Sequence, residues 1–461
     1  MITVLLKNLI PFTLRRMIRN TENRIRLKFR PLIYQIWLFK YDQRPKISEK
    51  LNADFVAVLS EQTHLAPDAF YQINQFLKQY PDTDFVYTDS DQVNAIGIRY
   101  HPYFKTDWDP YLFQSQNYLE PFYVIRKSVL AQNNGQLPTN LNKYKIRHLS
   151  KILCHSRQPF QISRLMPPLL FELPPTPPLV SIIIPTKDGL HLLKPCLESL
   201  LTKNHKQHFE ILIVNNNSEH PATLEYFKKI QNKKIKVLDY PHPFNYSAIN
   251  NFAAKKAEGE ILLLLNNDIE MITKNGLDAM LALILQPDIG IVGAKLLFPN
   301  KTIQHAGIVL GIDGTARHVL TGLTANHPGY FANLQHIRCC SAVTAACLMI
   351  RKSLYETLGG LDEALFPVTF NDIDLCLKVR TLGYRIVFTP YAQFYHKESA
   401  TRGEDLSTEK RARVKQEKEY FIAKWGKQLG DDPFYNPNLS LKSTDYSLAF
   451  PPRHTMTSVH P

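Results

Sequence analysis

Three short stretches of the sequence carry residue types whose spacing suits chemistry on a charged ligand. In "LLLLNNDIE" an apolar run ends in Asn266, Asn267 and Asp268. A carboxylate ejected at such an end can hold a hard divalent ion, Mg²⁺ or Mn²⁺, against phosphate oxygens. A bare helix cap would use the same acid. In "FNDIDLCLKVRTLGY" the apolar positions Ile373, Leu375, Leu377, Val379 and Leu382 fit a helix starting near Asn371. Asp372 then falls in its first turn, where an exposed carboxylate stays ionised, as a general base must. Dipole stabilisation is the plainer use of that position, and Asp374 competes for the role. In "FYHKESATRG" His396 follows a short strand and precedes a basic loop. His396 suits a metal ion and Arg402 a phosphate.

The elements around these stretches alternate. "LVSIIIPT" (179–186), "FEILIVNNNS" (209–218), "KIKVLDY" (234–240) and "EILLLLNND" (260–268) read as buried strands. Helical stretches at 190–202, 221–231 and 246–257 separate them. Alternation with near-continuous apolar strands predicts an α/β domain with a mostly parallel sheet, helices on both faces, and ligands beyond the carboxyl strand ends. The polar residues collect there: Thr186 and Asp188, Asn215 to Ser218, Asn266 to Asp268. Upstream, "DFVAVLS" (54–60), a helix at 66–80 and "DFVYTD" (84–89) predict a smaller α/β unit over 51–165. The proline-rich 166–178 reads as a linker, and 451–461 as a disordered tail.

Charge is uneven. Residues 1–50 hold twelve Lys/Arg against three acids, most of the chain's formal +14. They interleave with Leu27, Phe29, Leu32, Ile33, Ile36, Trp37 and Phe39, a pattern that suits an amphipathic helix on an anionic membrane or a basic helix packed on the protein's own body. The basic residues lie outside the folded units and no recognition motif occurs, which argues against nucleic acid. The six cysteines include no C-x-x-C pair and sit beside apolar residues, as buried free thiols do in a reducing, cytoplasmic compartment. The N-terminus is too charged for a secretory signal, and no run of about 18 apolar residues suits a spanning helix.

Residues 179–403 resemble the inverting glycosyltransferases of family 2. The pieces are "SIIIPTKDG", "FEILIVNNNS", "NYSAINNFAAKKAEGEILLLLNND", "VTAACLMIRKSLYETLGGLDEALF", "FNDIDLCLKVRTLGYRIVFTP" and "HKESATRG", in that order. The likeness is to bacterial enzymes of O-antigen and capsule synthesis. It implies a GT-A fold over 179–450, a nucleotide-sugar donor (UDP- or dTDP-linked) and a glycan or lipid-linked acceptor. Pro185, Thr186, Asp188, Asn215, Asn217, Asn267, Asp268 and Arg402 would line the donor site. Asp268 and His396 would hold the Mg²⁺ or Mn²⁺, and Asp372 would be the base. Asn215 stands where the family usually has an Asp, and Asn266 where it has the first Asp of D-x-D. These depleted acids leave a second reading, a non-catalytic scaffold in a glycan-assembly complex. Residues 51–165 resemble the later half of another such domain. Ser60, Glu61, Gln62 and Thr63 follow its "VAVL" strand where the metal motif belongs, which implies a truncated, inactive relic.

Overall fold

The computed structural model describes residues 31–42, 44, 47–138, 140–160, 172–203, 208–397 and 407–453. Arg402 and the expectations for residues 1–30 and 454–461 lie outside them. The chain forms two compact units. Unit 1 comprises the described parts of Met1–Trp108, Tyr118–Ile162 and Asn436–Thr455; unit 2 comprises those of Asp109–Asn117 and Ser163–Tyr435. Two excursions therefore cross the linear partition read from the sequence: 109–117 belongs to unit 2, and 436 onward to unit 1. Specific side-chain bonds hold them there, and neither carries a periodicity.

Unit 1 opens with helical residues 31–41 (α1). Its sheet contains β1 (Phe55–Leu59), β2 (Thr63–Leu65), β3 (Phe85–Val93), β4 (Arg99–Tyr103), β5 (Phe122–Arg126) and β6 (Ile146–Ser156), in the order β1-β5-β3-β6-β2 with β4 on β3. Helix α2 (Ala69–Gln79), where the sequence predicts a helix, buries Ile73 and Leu77 in one cluster with Val86, Phe122 and Val124 of the strands. Of the remaining elements, α3 (Pro110–Ser115) belongs to unit 2, and α4 (Lys127–Gln132) follows β5 in unit 1.

Unit 2 is built on β7 (Val180–Thr186), β8 (Phe209–Asn215), β9 (Ile235–Asp239), β10 (Ile261–Leu265), β11 (Ile269–Met271) and β12 (Ile289–Leu297). It continues with β13 (Ile303–His305), β14 (Ile308–Leu310), β15 (Ala316–His318), β16 (Arg338–Cys340), β17 (Cys347–Arg351) and β18 (Arg385–His396). The main sheet runs β11-β18-β12-β17-β10-β7-β8-β9. Its β10-β7-β8-β9 half is parallel, as the alternation requires, while β17 runs antiparallel to both β10 and β12. Helices α5 (Leu190–Lys203), α6 (Pro221–Ile230), α7 (Tyr246–Ala254), α8 (Gly276–Ile284), α9 (Lys352–Thr357), α10 (Asn371–Thr381) and α11 (Thr408–Trp425) complete it. Leu193, Leu197 and Leu200 of α5 and Leu277, Met280 and Leu281 of α8 share one buried cluster with Ile182, Ile211, Leu263 and Val292 of the strands. Every residue of β8, β10 and β12 is buried, which explains the unbroken apolar run of β10 and the largely apolar ones of β8 and β12.

The unit 1 sheet repeats part of the unit 2 sheet in register. Phe55–Leu59 pairs with Phe122–Arg126 over five antiparallel positions, as Ile261–Leu265 pairs with Cys347–Arg351. β3 then pairs antiparallel with β5 and parallel with β6, as β12 does with β17 and β18. Thr63 faces Ser156 as Ile269 faces His396. The amide of Arg157 bonds the carbonyl of Gln62 as the amide of Lys397 bonds that of Asp268.

Candidate functional site

The strand ends of unit 2 are joined to one another. The Asn216 amide bonds the Thr186 carbonyl at 2.8 Å, and Asn267 Nδ2 donates to Thr186 Oγ1 at 2.9 Å. Pro185 precedes this junction in β7. Asp188, at φ 48°, takes a left-handed turn. Its amide donates to Ser218 Oγ at 2.8 Å, and its carboxylate accepts from the amides of Glu219 and His220, just ahead of α6. Asp188 thus ties two loops together. The Asn215 amide is engaged on both sides: Oδ1 accepts from the Ser218 amide at 3.0 Å, and Nδ2 donates to Asp239 Oδ1 at 2.8 Å. Asn217 is exposed and bonds the His242 carbonyl at 3.0 Å. Sequence reasoning missed Asp239, an exposed acid at the end of β9. The signal was available, because "KIKVLDY" ends in a polar residue as its neighbouring strands do.

Asp268 and His396 are buried and face each other, His396 Nε2 lying 3.3 Å from Asp268 Oδ1. Main-chain pairing sets this approach, through Ile269 opposite His396 and the Lys397 amide on the Asp268 carbonyl. Asp268 Oδ1 and His396 Nδ1 have no hydrogen-bond partner although both are buried. A buried polar atom left without a hydrogen bond is costly, and a cation taken up at Asp268 Oδ1 would lower that cost. The donor set, one carboxylate and one imidazole, fits Mg²⁺ or Mn²⁺ completed by phosphate oxygens and water. Among the described residues no group of three or more His, Cys, Asp and Glu is arranged to hold a metal, so an ion held here would need a ligand's own oxygens as well.

Asp372 is in the first turn of α10, as its spacing predicted. It is half-buried rather than exposed. Burial raises its pKa from the ordinary carboxylate value, against bonds from the Ala345 and Ile373 amides and the Thr344 hydroxyl. The segment Thr344–Ala346 links it to the strand end that carries Asp268: the Ala345 amide bonds Asp372 Oδ2 at 3.2 Å, and the Ala346 carbonyl accepts from the Asn266 amide at 3.0 Å. Gly293 of β12 leaves room for this segment's approach, since a Cβ there would meet Val343 Cγ1 at 2.5 Å. Asp374, the rival acid, is fully buried and bonded to Trp425 Nε1, Lys378 and Lys424. The six cysteines are buried and unpaired. A pocket at the opposite ends of the strands, lined by Pro178, Gly259, Arg351 and Lys352 among others, offers little chemistry. The cationic heads of Arg351 and Lys352 are bound to backbone carbonyls.

In a mixed α/β sheet with polar strand ends gathered at one side, the place for a ligand is the crevice beyond those ends. Residues 181–358, less than half of the chain, match the family model described as Glycosyl transferase family 2, and unit 2 has the mixed α/β GT-A fold class the resemblance implied. The chain is 36% identical over 450 residues to the uncharacterized protein y4gI of Sinorhizobium fredii, covering 86% of this chain and 50% of that protein. It is 35% identical over 447 residues to the O-antigen biosynthesis protein RfbC of Myxococcus xanthus, covering 86% of this chain and 34% of that one. The chain thus spans half or less of the length of these curated relatives. Among solved structures it is similar to a mannosyltransferase of Pyrobaculum calidifontis in complex with GDP-Man and Mn²⁺, with TM-score 0.41 and 16% identity over 57% of this chain and 68% of that one. It is also similar to GalNAc-T7 with UDP, GalNAc and Mn²⁺, with TM-score 0.42 and 15% identity over 55% and 52%.

Proposed function

We propose that unit 2 transfers a sugar from a nucleotide-sugar donor, UDP- or dTDP-linked, to a glycan or lipid-linked acceptor with inversion, in the synthesis of a cell-surface polysaccharide. The observation that carries this reading is the pair of unsatisfied buried atoms on Asp268 and His396, joined through Thr344–Ala346 to the carboxylate of Asp372. Asp268 and His396 are the residues that would hold Mg²⁺ or Mn²⁺, which when bound offsets the charge of the departing diphosphate. Thr186, Asp188, Asn215, Asn217 and Asn267 shape the donor side, with Pro185 in the strand beneath and Arg402 as a phosphate contact. Asp372 accepts the acceptor hydroxyl proton as its oxygen attacks the anomeric carbon from the face opposite the leaving group. One displacement inverts configuration. The relative concerned with O-antigen biosynthesis supports the polysaccharide setting.

Unit 1 fits the relic reading. Its register places Gln62 where unit 2 has Asp268, and Ser156 where it has His396. Between α4 and β6 no helix corresponds to α10 among the described residues. All three chemical groups are therefore replaced or missing, and the unit serves packing or acceptor binding. The other part of the reading is peripheral attachment of residues 1–50 to the cytoplasmic face of an anionic membrane.

The test is a thermal-shift screen of UDP, dTDP and GDP with Mn²⁺ or chelator, on wild type and Asp268→Ala. One nucleotide should stabilise the wild type only with metal, and Asp268→Ala should lose that dependence. Metal dependence unchanged in the variant would move the ion elsewhere. No stabilisation by any nucleotide would favour the scaffold.

A further inference from the structure

Helix α11 is polar along nearly its whole length, and it buries three residues, Glu417, Phe421 and Trp425. All three reach the segment around Asp372. Glu417 Oε2 accepts from the Thr369 amide and hydroxyl, both at 2.5 Å, and from the Val368 amide at 3.4 Å. Phe421 stacks on Phe370 with ring centroids 4.7 Å apart and an interplanar angle of 14°. Trp425 Nε1 donates to Asp374 Oδ1 at 2.9 Å. These contacts fall on residues 368, 369, 370 and 374, bracketing Asp372 on both sides.

The turn they hold is one the chain resists. Phe370 sits at φ 62°, ψ −2°, left-handed backbone that a bulky L-residue adopts at a cost of about 1–2 kcal/mol and keeps only when its surroundings impose it. This turn points the first turn of α10, and with it Asp372, at Ala345. A buried carboxylate taking three hydrogen bonds from one turn is well suited to impose it, because bonds to a charged acceptor are among the strong ones. Arg413 Nε, 3.1 Å from Glu417 Oε1, balances the buried charge.

We infer that Glu417, backed by Phe421, is a positioning residue for the reaction: it fixes the left-handed turn at Phe370 that aims Asp372. The inference rests on Asp372 as the base. Glu417→Gln keeps the volume but places a donor or a weaker acceptor before two N–H and O–H donors. The turn loosens, the amides of Ala345 and Ile373 no longer hold the Asp372 carboxylate, and the loss of bonds to the charged form raises its pKa.

The experiment follows nucleoside diphosphate release from hexose-linked forms of the nucleotide selected by the screen, across pH, in wild type, Glu417→Gln, Thr369→Val and Asp372→Asn. Nucleotide affinity with Mn²⁺ is measured alongside. Glu417→Gln should lower kcat about tenfold or more, leave nucleotide affinity within about twofold, and move the acidic limb of the pH profile upward. Thr369→Val removes one hydroxyl donor and should shift the limb the same way by less, which keeps the test decisive if Glu417→Gln folds poorly. If Asp372→Asn abolishes turnover while both other variants keep the wild-type profile, the positioning role falls and the base stands. If Asp372→Asn retains turnover, the base assignment falls, and this inference with it.

Discussion

Asp372 and Asp374 stand two residues apart on one helix, yet their surroundings separate them chemically. Asp374 is bonded to an indole and two lysines, whereas Asp372 meets two amides and keeps partial access to solvent. Burial raises the Asp372 pKa, so its acidic limb should lie above the ordinary aspartate value of about 3.9. The base works only when deprotonated, hence rate falls as pH drops through the raised pKa. Asp372→Asn should cost about 10²-fold or more in turnover while nucleotide binding persists; turnover above about a tenth of wild type would remove Asp372 from the role. A second residue, His148 in unit 1, ties stability to pH. Burial alone would lower its pKa, but Asp89 at 2.8 Å and Asp107 at 3.4 Å outweigh that and raise it to about 9. A histidine with a raised folded-state pKa contributes stability fully below its unfolded value, about 6.5, and loses it as pH rises through about 9. The unfolding midpoint should therefore fall between about pH 7 and pH 9.5, with a shallower fall in His148→Gln. Equal slopes would show that other groups govern this window.

The legibility of each element followed from what it buries. Strands β7, β8 and β10 are covered on both faces, so their apolar runs gave both position and direction, and the polar residues ending them marked the site. Helix α10 was legible from its buried Ile373, Leu375, Leu377 and Val379. Helix α11 was not, because three buried residues in eighteen leave no apolar stripe to read. Nor was the antiparallel run of β17 against its neighbours, which depends on the path of residues 298–346. Helix α1 shows why two uses of the basic N-terminal stretch looked alike: its apolar residues divide between a packed face and an exposed one. Tyr34 and Trp37 are buried, Tyr34 bonding Asp91 and Trp37 the Ala449 carbonyl. Leu32, Ile36 and Phe39 remain 60%, 51% and 81% exposed. Spaced at i, i+4 and i+7, they form an apolar line beside a sequence rich in Lys and Arg, the pattern of an interfacial helix. No described helix is long and apolar enough to cross a membrane. Vesicles containing phosphatidylglycerol should sediment the full chain, and salt should weaken this, since each basic residue near the surface contributes about 1 kcal/mol. Leu32→Glu/Ile36→Glu should reduce sedimentation without lowering the unfolding midpoint, because both side chains are exposed. Unchanged sedimentation would place the contact elsewhere.

On the scale of the whole molecule, the units exchange segments, and this decides how the chain can be divided. Asn436 and Asn438 reach back to Asp89, with Asn436 Nδ2 3.0 Å from both carboxylate oxygens, so Asp89 is a structural anchor for the C-terminal segment. In the other direction, α3 interrupts the unit 1 sequence but packs in unit 2. Asp109 caps α3 through the Tyr111 and Leu112 amides, and its other oxygen accepts from the Cys339 amide at 2.8 Å. Tyr111 joins the main unit 2 core and donates to Asp288 Oδ1 at 2.6 Å. A fragment beginning at Leu179, the start of the glycosyltransferase stretch in the sequence, therefore lacks part of its own core. It would leave the Cys339 amide unpaired, at about 1–3 kcal/mol, and expose the apolar surface that Tyr111 covers, at about 25 cal/mol per Å². In the full chain, Asp109→Ala removes the same amide's partner and the cap, for a loss of about 2–4 kcal/mol. Urea unfolding followed by nucleotide protection should rank full chain above Asp109→Ala and both above the fragment. A fragment as stable as the full chain would mean that α3 contributes nothing to unit 2, and that the sequence partition at Leu179 is also the folding boundary.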